Sequence, residues 1–425
     1  MVAVLQAAAA LAGVLVVARC AAGAARLVRQ PPVIGEIALG LVLVPVLTAV
    51  AGPRVTTGLL PPDATGYLHT IGVAGLALYL AGAGHTVRPR RSEVTPRSYA
   101  WLLTGSLAPG LVAGVFLAAW VLWRDLPLER GAAPPAALVL LLAAAFAVTA
   151  VPVLVRILTD RGLLESTEGR LSVLTAVSID ALTWLILTGA LVAAAGDGGR
   201  LGHAVAVIVG GALAVVPLRL VLRRKAVSAL CARWPAASGA VLGAVAVAAA
   251  LATERAGLTA IYGAVLVGLA VPWDDGEGPW ARSVRAVARI GRLLVPVFFV
   301  TTGLALGTKG PSGFSWATLA LALLLAFVAK VAGGWAGARA AGLPTGPALR
   351  IGVLMNTRGL TEIAVLQAGV SAAILTPGLF LVLALMALIT TAATGPLLSL
   401  VERRYGRSAG SPFPESEELL SHDDA

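Results

Sequence analysis

The chain has 425 residues, of which 58% are hydrophobic and only 12% are charged, roughly half the charged fraction of a soluble protein. The formal net charge of +11 does not indicate a nucleic-acid partner, because the basic residues lie between apolar runs, as they do in membrane proteins. Two cysteines supply neither a disulfide framework nor a metal site. The composition predicts an all-α polytopic membrane protein that needs the lipid bilayer and no cofactor.

Apolar stretches long enough to cross a bilayer, about 20 residues each, recur along the whole chain. We predict about thirteen transmembrane helices, at residues 3–25, 33–50, 68–87, 98–123, 136–158, 170–195, 201–222, 236–253, 257–272, 290–306, 315–341, 350–372 and 376–401. Arg and Lys are concentrated in the loops that follow odd-numbered spans, which predicts an outside N-terminus and a cytoplasmic C-terminus. The polar, acidic residues 408–425 are expected to form a disordered cytoplasmic tail.

The fifth span contains Thr149 and Pro152 within an otherwise apolar run. Proline removes a backbone donor and clashes with the preceding turn, so the helix should break near Val148–Val151. Within a membrane such a break is tolerated where the freed backbone groups line a cavity or bind an ion. Ala150, Val151 and Pro152 are therefore candidate elements of a broken helix, although a simple proline kink is the alternative.

The sixth span carries Asp180 near the middle of an apolar run from residue 171 to residue 195. An ionisable group at that depth is costly and marks a functional site by default. The alternatives are a carboxylate neutralised by a helix neighbour and one that reaches the membrane surface. Ser178, in the same Ala176–Trp184 stretch, is a second candidate oxygen ligand.

Two further charged residues need partners. Lys330 lies close to the middle of the eleventh span, where a buried lysine either loses its proton or finds an anion. Asp180 and the carbonyls of a broken helix are the candidate partners, and a side chain that reaches the membrane surface is the alternative. Glu254, in the turn after the eighth span, is a candidate partner for an arginine such as Arg358.

The twelfth span concentrates polar residues that few transmembrane helices carry. Arg358 and Glu362 are four residues apart, so they could pair on one helix face, and Gly359 is a weak point in the helix. The candidate broken-helix elements here are Asn356, Thr357 and Gly359.

The two interrupted spans occupy matching places, fifth in spans 1–6 and fifth in spans 8–13. Inverted repeats with broken helices that meet at the membrane midplane are the architecture of many secondary transporters. We therefore expect one transmembrane domain, residues 1–407, with repeat one at about 3–195, a linker helix at 201–222 and repeat two at about 236–401. No Walker sequence is present, which argues against ATP-driven transport by this chain alone.

Five stretches resemble motifs of the monovalent cation:proton antiporter superfamily, specifically its second branch, together with plant-type cation/proton exchangers. They are Gln30-Pro-Pro-Val-Ile-Gly-Glu-Ile-Ala-Leu-Gly, Ala147-Val-Thr-Ala-Val-Pro-Val-Leu-Val-Arg-Ile-Leu, Phe298-Phe-Val-Thr-Thr-Gly-Leu, Met355-Asn-Thr-Arg-Gly-Leu-Thr-Glu-Ile and Leu385-Met-Ala-Leu-Ile-Thr-Thr. They span nearly the whole chain in the order that the family shows.

The resemblance implies a thirteen-helix inverted-repeat fold, with a panel-like dimerisation domain, a mobile ion-binding core and a homodimeric assembly in the plasma membrane. It implies that Na⁺ or K⁺ competes with protons for an aspartate on the sixth span, which Asp180 matches. Thr149 and Arg358 match positions on the two crossed helices. Lys330 matches a lysine that many members keep on the preceding span.

One departure from the family pattern concerns stoichiometry. Members with two adjacent aspartates on the sixth span are typically electrogenic, whereas this chain has Ile179 before Asp180. We therefore expect a secondary antiporter with one-for-one, electroneutral exchange. Two alternatives remain, a glutathione-gated type of K⁺ efflux pathway and a proton-coupled permease for an organic anion, in which Lys330 and Arg358 would bind the substrate.

Overall fold

The architecture is helical throughout the part of the chain that the structure describes. The computed structural model describes residues 2–27, 30, 32–52, 62–86, 95–124, 130–195, 199–256, 260–272, 278–306 and 314–406. Within these ranges the strand-like pairing is limited to one isolated antiparallel bridge between Arg130 and Leu375. Helices dominate because a backbone surrounded by lipid must satisfy its hydrogen bonds within its own segment.

The helices follow one another through short connections. In chain order they are α1 (Val2–Leu27), α2 (Pro32–Ala51), α3 (Pro62–Thr86), α4 (Pro96–Arg124), α5 (Pro135–Ala147), α6 (Val151–Asp160), α7 (Thr167–Ala195), α8 (Gly199–Leu222), α9 (Lys225–Arg233), α10 (Pro235–Arg255), α11 (Ala260–Ala270), α12 (Pro279–Leu306), α13 (Trp316–Phe327), α14 (Gly333–Ala340), α15 (Thr345–Met355), α16 (Leu360–Ser371) and α17 (Pro377–Tyr405). A five-residue π-helical segment, Val328–Ala332, joins α13 to α14.

Every predicted span coincides with a helix or with an interrupted pair of helices, and the short α9 is the helix that the sequence did not predict. Eight helical stretches among the described residues are long and apolar enough to cross a membrane. The number of crossings, the orientation of the termini and the repeat boundaries stay predictions. The predicted disordered tail at 408–425 lies outside the described residues.

The helices pack as two groups. The panel group consists of α1–α3 and α10–α12, and its closest packing joins α3 to α11 and α12. The core group consists of α4–α7 and α13–α17, in which α4 and α7 flank α5 and α14 packs against both α4 and α15. Helix α8 touches both groups, through α7 and α11. A buried apolar cluster that includes Val33, Leu76, Val151 and Met355 joins the two groups beside α6.

The contact between α4 and α5 depends on a glycine. A Cβ placed on Gly114 would collide with the main chain of α5, at Leu142 and Ala143. Gly210, on the exposed surface of α8, has open space at the same position. The two glycines therefore provide a matched comparison of a tight helix contact with a free helix surface.

Replacing these glycines by alanine should change stability in opposite directions. Alanine is the better helix former by about 1 kcal/mol, so Gly210→Ala should leave the melting temperature unchanged or raise it. Gly114→Ala should lower it, because an extra methyl in a packed contact costs about 1–3 kcal/mol. Thermal unfolding of the detergent-purified variants measures both. Equal melting temperatures would contradict the close approach of α4 to α5.

Candidate functional site

The first interruption lies between α5 and α6. Helix α5 ends at Ala147, residues Val148 and Ala150 have extended backbone, and α6 begins at Val151 with Pro152 as its second residue. The predicted break near Val148–Val151 is confirmed. Its cause is local, since proline suits the first turn of a helix but not an interior position.

The second interruption lies between α15 and α16. Helix α15 ends at Met355 and α16 begins at Leu360. Gly359 has φ 157° and ψ −128°, a backbone conformation that is essentially confined to glycine. A Cβ there would also lie 2.9 Å from Val153 Cγ2 on α6. The predicted weak point at Gly359 is confirmed as the end of an interruption.

The two interruptions cross and bond to each other. The amide of Ala150 donates to the Thr357 carbonyl at 3.0 Å. The Thr149 hydroxyl donates to the Met355 carbonyl, also at 3.0 Å. Backbone groups that each helix loses at its break are therefore satisfied by the other helix, as a buried site requires.

The broken end of α5 leaves three carbonyls without their helical donors, at Ala145, Phe146 and Ala147. Arg358, which is 0% exposed, donates to the Ala145 carbonyl at 2.8 Å and to the Phe146 carbonyl at 3.2 Å. Its guanidinium also lies over the Phe146 ring, 5.3 Å from the centroid. The end of a helix carries partial negative charge, so a buried arginine is well placed there.

Arg358 also pairs with Glu362 across 3.1 Å, and the side chains of both residues are 0% exposed. This is the i, i+4 pairing that the sequence indicated. Glu254 lies exposed at the end of α10. The expectation that Glu254 partners Arg358 is therefore wrong, because Glu362, in the first turn of α16, takes that place.

Lys330 completes the cap on α5. It is 0% exposed and lies in the π-helical segment between α13 and α14. Its ammonium donates to the Ala147 carbonyl, to the Thr149 hydroxyl at 3.0 Å and to the Ser106 carbonyl at 3.5 Å. Of the partners considered from the sequence, Lys330 bonds to the carbonyls of the broken helix. Local π-helical turns are frequent at functional sites.

Two threonines on α17 hold the second interruption, and sequence reasoning missed them as individual residues. Thr391 accepts from the Arg358 amide and donates to the Arg358 carbonyl, both at 2.8 Å. The Asn356 side-chain amide donates to the Thr390 carbonyl at 3.0 Å. The available signal was the adjacent hydroxyl pair in an apolar span, which the motif beginning at Leu385 contains.

Asp180 lies on α7 and is 1% exposed. Helix α7 packs against both interrupted pairs, through α5, α6, α15 and α16. On the helix face that carries Asp180, Ala176 belongs to the same buried cluster as Ala150, and Leu187 belongs to the same cluster as Phe146. Asp180 is therefore a buried carboxylate on the helix that adjoins the crossing.

Ser178 points away from that face. Its hydroxyl lies 2.7 Å from the Tyr99 hydroxyl on α4 and donates to the Leu174 carbonyl at 3.1 Å. Two residues of separation on a helix place side chains on different faces. The structure accordingly brings Thr149, Lys330, Arg358 and Glu362 together and directs Ser178 towards α4.

A separate polar cluster joins the panel and core groups. Arg156 on α6 bonds to Glu36 on α2 at 3.4 Å and to Asp160 at 3.1 Å. The Tyr79 hydroxyl on α3 lies 2.8 Å from the Thr159 hydroxyl and donates to the Val155 carbonyl at 3.1 Å. The cluster attaches α6 to the panel group.

Removing Arg358 should be strongly destabilising. Arg358→Met leaves Glu362 buried without its cation, a loss of about 3–5 kcal/mol for a buried pair, and uncaps two carbonyls. Adding Glu362→Gln should recover part of the loss, because a neutral amide needs no counter-charge. Thermal unfolding in detergent measures the series, with Arg339→Met as an exposed-arginine control. A double variant no more stable than Arg358→Met would refute the charge-pair explanation.

Comparisons with known proteins place this arrangement among transporters. A family model described as "Sodium/hydrogen exchanger, transmembrane" matches residues 13–401. The Na(+)/H(+) antiporter NhaS4 of Synechocystis is 29% identical over 380 residues, covering 87% of this chain and 90% of that protein. Cation/H(+) antiporter 20 of Arabidopsis thaliana is 31% identical over 394 residues, covering 87% of this chain but 45% of that protein. The chain thus spans a little under half the length of that plant relative.

A yeast protein and a solved structure extend these similarities. K(+)/H(+) antiporter 1 of Saccharomyces cerevisiae is 25% identical over 396 residues, covering 88% of this chain and 44% of that protein. The sodium proton antiporter MjNhaP1 of Methanocaldococcus jannaschii matches with a TM-score of 0.65 at 18% identity, covering 94% of this chain and 96% of that one. At that identity the structural likeness shows a shared fold.

Proposed function

Because this chain belongs to the sodium/hydrogen exchanger family, whose members are secondary transporters and not enzymes, we propose that it exchanges protons for Na⁺ or K⁺. The multi-pass chain would work in the plasma membrane by alternating access. Asp180 would bind the proton and the cation in turn. The relatives named for Na⁺/H⁺ and K⁺/H⁺ antiport support the reaction class.

The observation that carries the proposal is the buried carboxylate of Asp180 on the helix that adjoins both interruptions. Burial disfavours a bare negative charge, and either a proton or a monovalent cation removes that charge. Both ligands add one positive charge to the same group, so they compete for it. That competition couples the movement of one to the countermovement of the other.

The crossing would supply the polar surroundings that a partly dehydrated cation needs. Interrupted helices place main-chain dipoles inside the membrane, where intact helices present only side chains. Among the described residues no cluster of three or more His, Cys, Asp or Glu side chains is placed to hold a metal ion. A transported cation would therefore depend on Asp180 together with neutral oxygens.

The organic-anion alternative is less favoured by the contacts of the two buried cations. Arg358 is bonded to two carbonyls and to Glu362, and Lys330 is bonded to carbonyls and to Thr149. An anionic substrate would have to displace these bonds and leave the end of α5 uncapped. The two cations suit a structural and electrostatic role beside a cation site better than a role as anion ligands.

Alternating access would move the core group relative to the panel group. The crossing lies within the core group, and the Arg156–Glu36 and Tyr79–Thr159 contacts bridge to the panel group near one end of α6. A panel that stays in place while the core moves would suit dimerisation through the panel helices. The homodimer is part of this proposal.

Neutralising Asp180 should abolish exchange. In proteoliposomes with an imposed pH gradient, Na⁺ or K⁺ should dequench a pH-sensitive dye for the native protein, and Asp180→Asn should reduce the response to that of empty liposomes. Glu165→Gln, which removes an exposed carboxylate outside the site, should respond like the native protein. An unchanged response in Asp180→Asn would refute the proposal.

Exchange should also be electroneutral. Ile179, next to Asp180, is fully buried and apolar, so Asp180 has no second acid beside it in the sequence and would exchange one proton for one cation. Solid-supported-membrane recordings should show no charge displacement that scales with turnover, while dye measurements on the same liposomes show transport. A current that tracks turnover would refute one-for-one exchange without refuting antiport.

A further inference from the structure

An apolar cleft opens on the surface between α8 and α10. It has a volume of about 280 Å³ and is closed at one end by the short helix α9. Its walls include Leu218 and Leu222 of α8, Leu230 of α9, and Trp234 and Val241 at the start of α10. Ser238 is the only one of its lining residues that carries a hydroxyl. The cleft is therefore shaped for a hydrocarbon ligand.

The cleft faces outward from the helix bundle. Leu230, Trp234 and Val241 are 58%, 57% and 64% exposed. None of the apolar stretch of α8 from Val205 to Leu222 is buried. Both α8 and α10 are long and apolar enough to cross a membrane, so the cleft would open sideways to lipid. The exposed Trp234, at the end of a span, is in the position that tryptophans favour at the membrane surface.

The charged residues of α8 and α9, which form two walls of the cleft, are all basic. Arg219 lies in the last turn of α8 beside Leu218. Arg223 and Arg224 precede α9, Lys225 and Arg233 are its first and last residues, and all four are exposed. From residue 199 to residue 253 the sequence contains no Asp or Glu. The Nε atom of Arg219 is buried and has no hydrogen-bond partner among the described residues. Within the described residues of α8 and α9, these basic side chains therefore have no acidic neighbour.

Helix α9 is a fixed part of the cleft. Cys231 on α9 is buried, and its thiol donates to the Pro279 carbonyl at 3.2 Å at the start of α12. Val227 and Leu230 line the cleft, while Lys225 and Arg233 stand at the two ends of the helix. An apolar face with basic ends is the pattern of a helix that lies in the membrane surface.

We propose that this cleft binds an anionic phospholipid, with an acyl chain in the slot and the phosphate on the arginines beside α9. The apolar lining and the basic residues of α8 and α9 together suit a ligand with a hydrocarbon tail and an anionic head. A second copy of the chain fits less well, since a two-fold interface would set one basic rim against its equal. The proposal is independent of the exchange reaction.

The test compares lipids on the purified full-length protein, using native mass spectrometry and thermal unfolding in neutral detergent. Dioleoyl phosphatidylglycerol should remain bound and raise the melting temperature. Dioleoyl phosphatidylcholine, with the same chains, and inorganic phosphate, without chains, should do neither. Equal binding of the two lipids would overturn the proposed charge recognition, and an equal effect of inorganic phosphate would overturn the need for a chain.

Two pairs of variants separate the head from the tail. Arg223→Gln with Arg224→Gln should weaken phosphatidylglycerol binding roughly 30-fold. This factor corresponds to the binding free energy that two arginines contribute near an anionic membrane surface. The control, Arg403→Gln with Arg404→Gln, removes an equally exposed pair at the end of α17 and should bind normally. Ala237→Trp should fill the slot and block binding, whereas Ala248→Trp, on an exposed part of α10 outside the lining, should not.

Unchanged binding in either Arg223→Gln/Arg224→Gln or Ala237→Trp would refute the proposed site. Dimers that dissociate in Ala237→Trp, with lipid binding intact, would assign the cleft to a second copy instead. Neither readout requires transport, so a failure of the lipid proposal and a failure of the exchange proposal are distinguishable.

Discussion

The uncapped end of α5 is the constraint on which the rest of the site depends. Three carbonyls, at Ala145, Phe146 and Ala147, lose their helical donors where the helix is interrupted before Pro152, and all three residues are 0% exposed. Unsatisfied backbone groups in such surroundings cost several kcal/mol each. Arg358 and Lys330 supply the missing donors. They connect the end of α5 to the interruption between α15 and α16 and to the π-helical segment that follows α13.

Each of these buried cations needs hydrogen-bond partners or a counter-charge, and the residues that provide them account for the polar side chains in the neighbouring helices. Glu362 balances the charge of Arg358, and Thr391 fixes the main chain of Arg358 on both sides. Thr149 uses its hydroxyl twice, as donor to Met355 and as acceptor from Lys330. The polar residues of the two interruptions, the π-helical segment, α16 and α17 thus form one connected network. An acidic residue on α7 that adjoins this network experiences fixed dipoles and charges in place of water.

Two groups of charged residues outside the crossing also lie against apolar surroundings. Arg156 is bonded to Glu36 and Asp160 where α6 meets the panel group, so charges at that boundary are matched. Beside α9 the arginines border an apolar cleft, and neither α8 nor α9 carries an acidic residue. The first arrangement connects two parts of the protein, and the second is directed towards the bilayer.

The sequence by itself determined the long apolar helices, their order and both interruptions, but not the short α9. Hydrophobic runs set the helices, because lipid requires an unbroken apolar segment, and Pro152 and Gly359 act within their own turn of chain. The five family motifs can likewise be read from the sequence without knowledge of the packing. The tertiary structure alone decided the partners of the charges. Lys330 bonds to the Ala147 carbonyl, 183 residues away in the chain, Ser178 turns towards Tyr99, and Glu254 remains at the surface. Such contacts depend on which helix packs beside which, and periodicity within one helix carries no information about its neighbours.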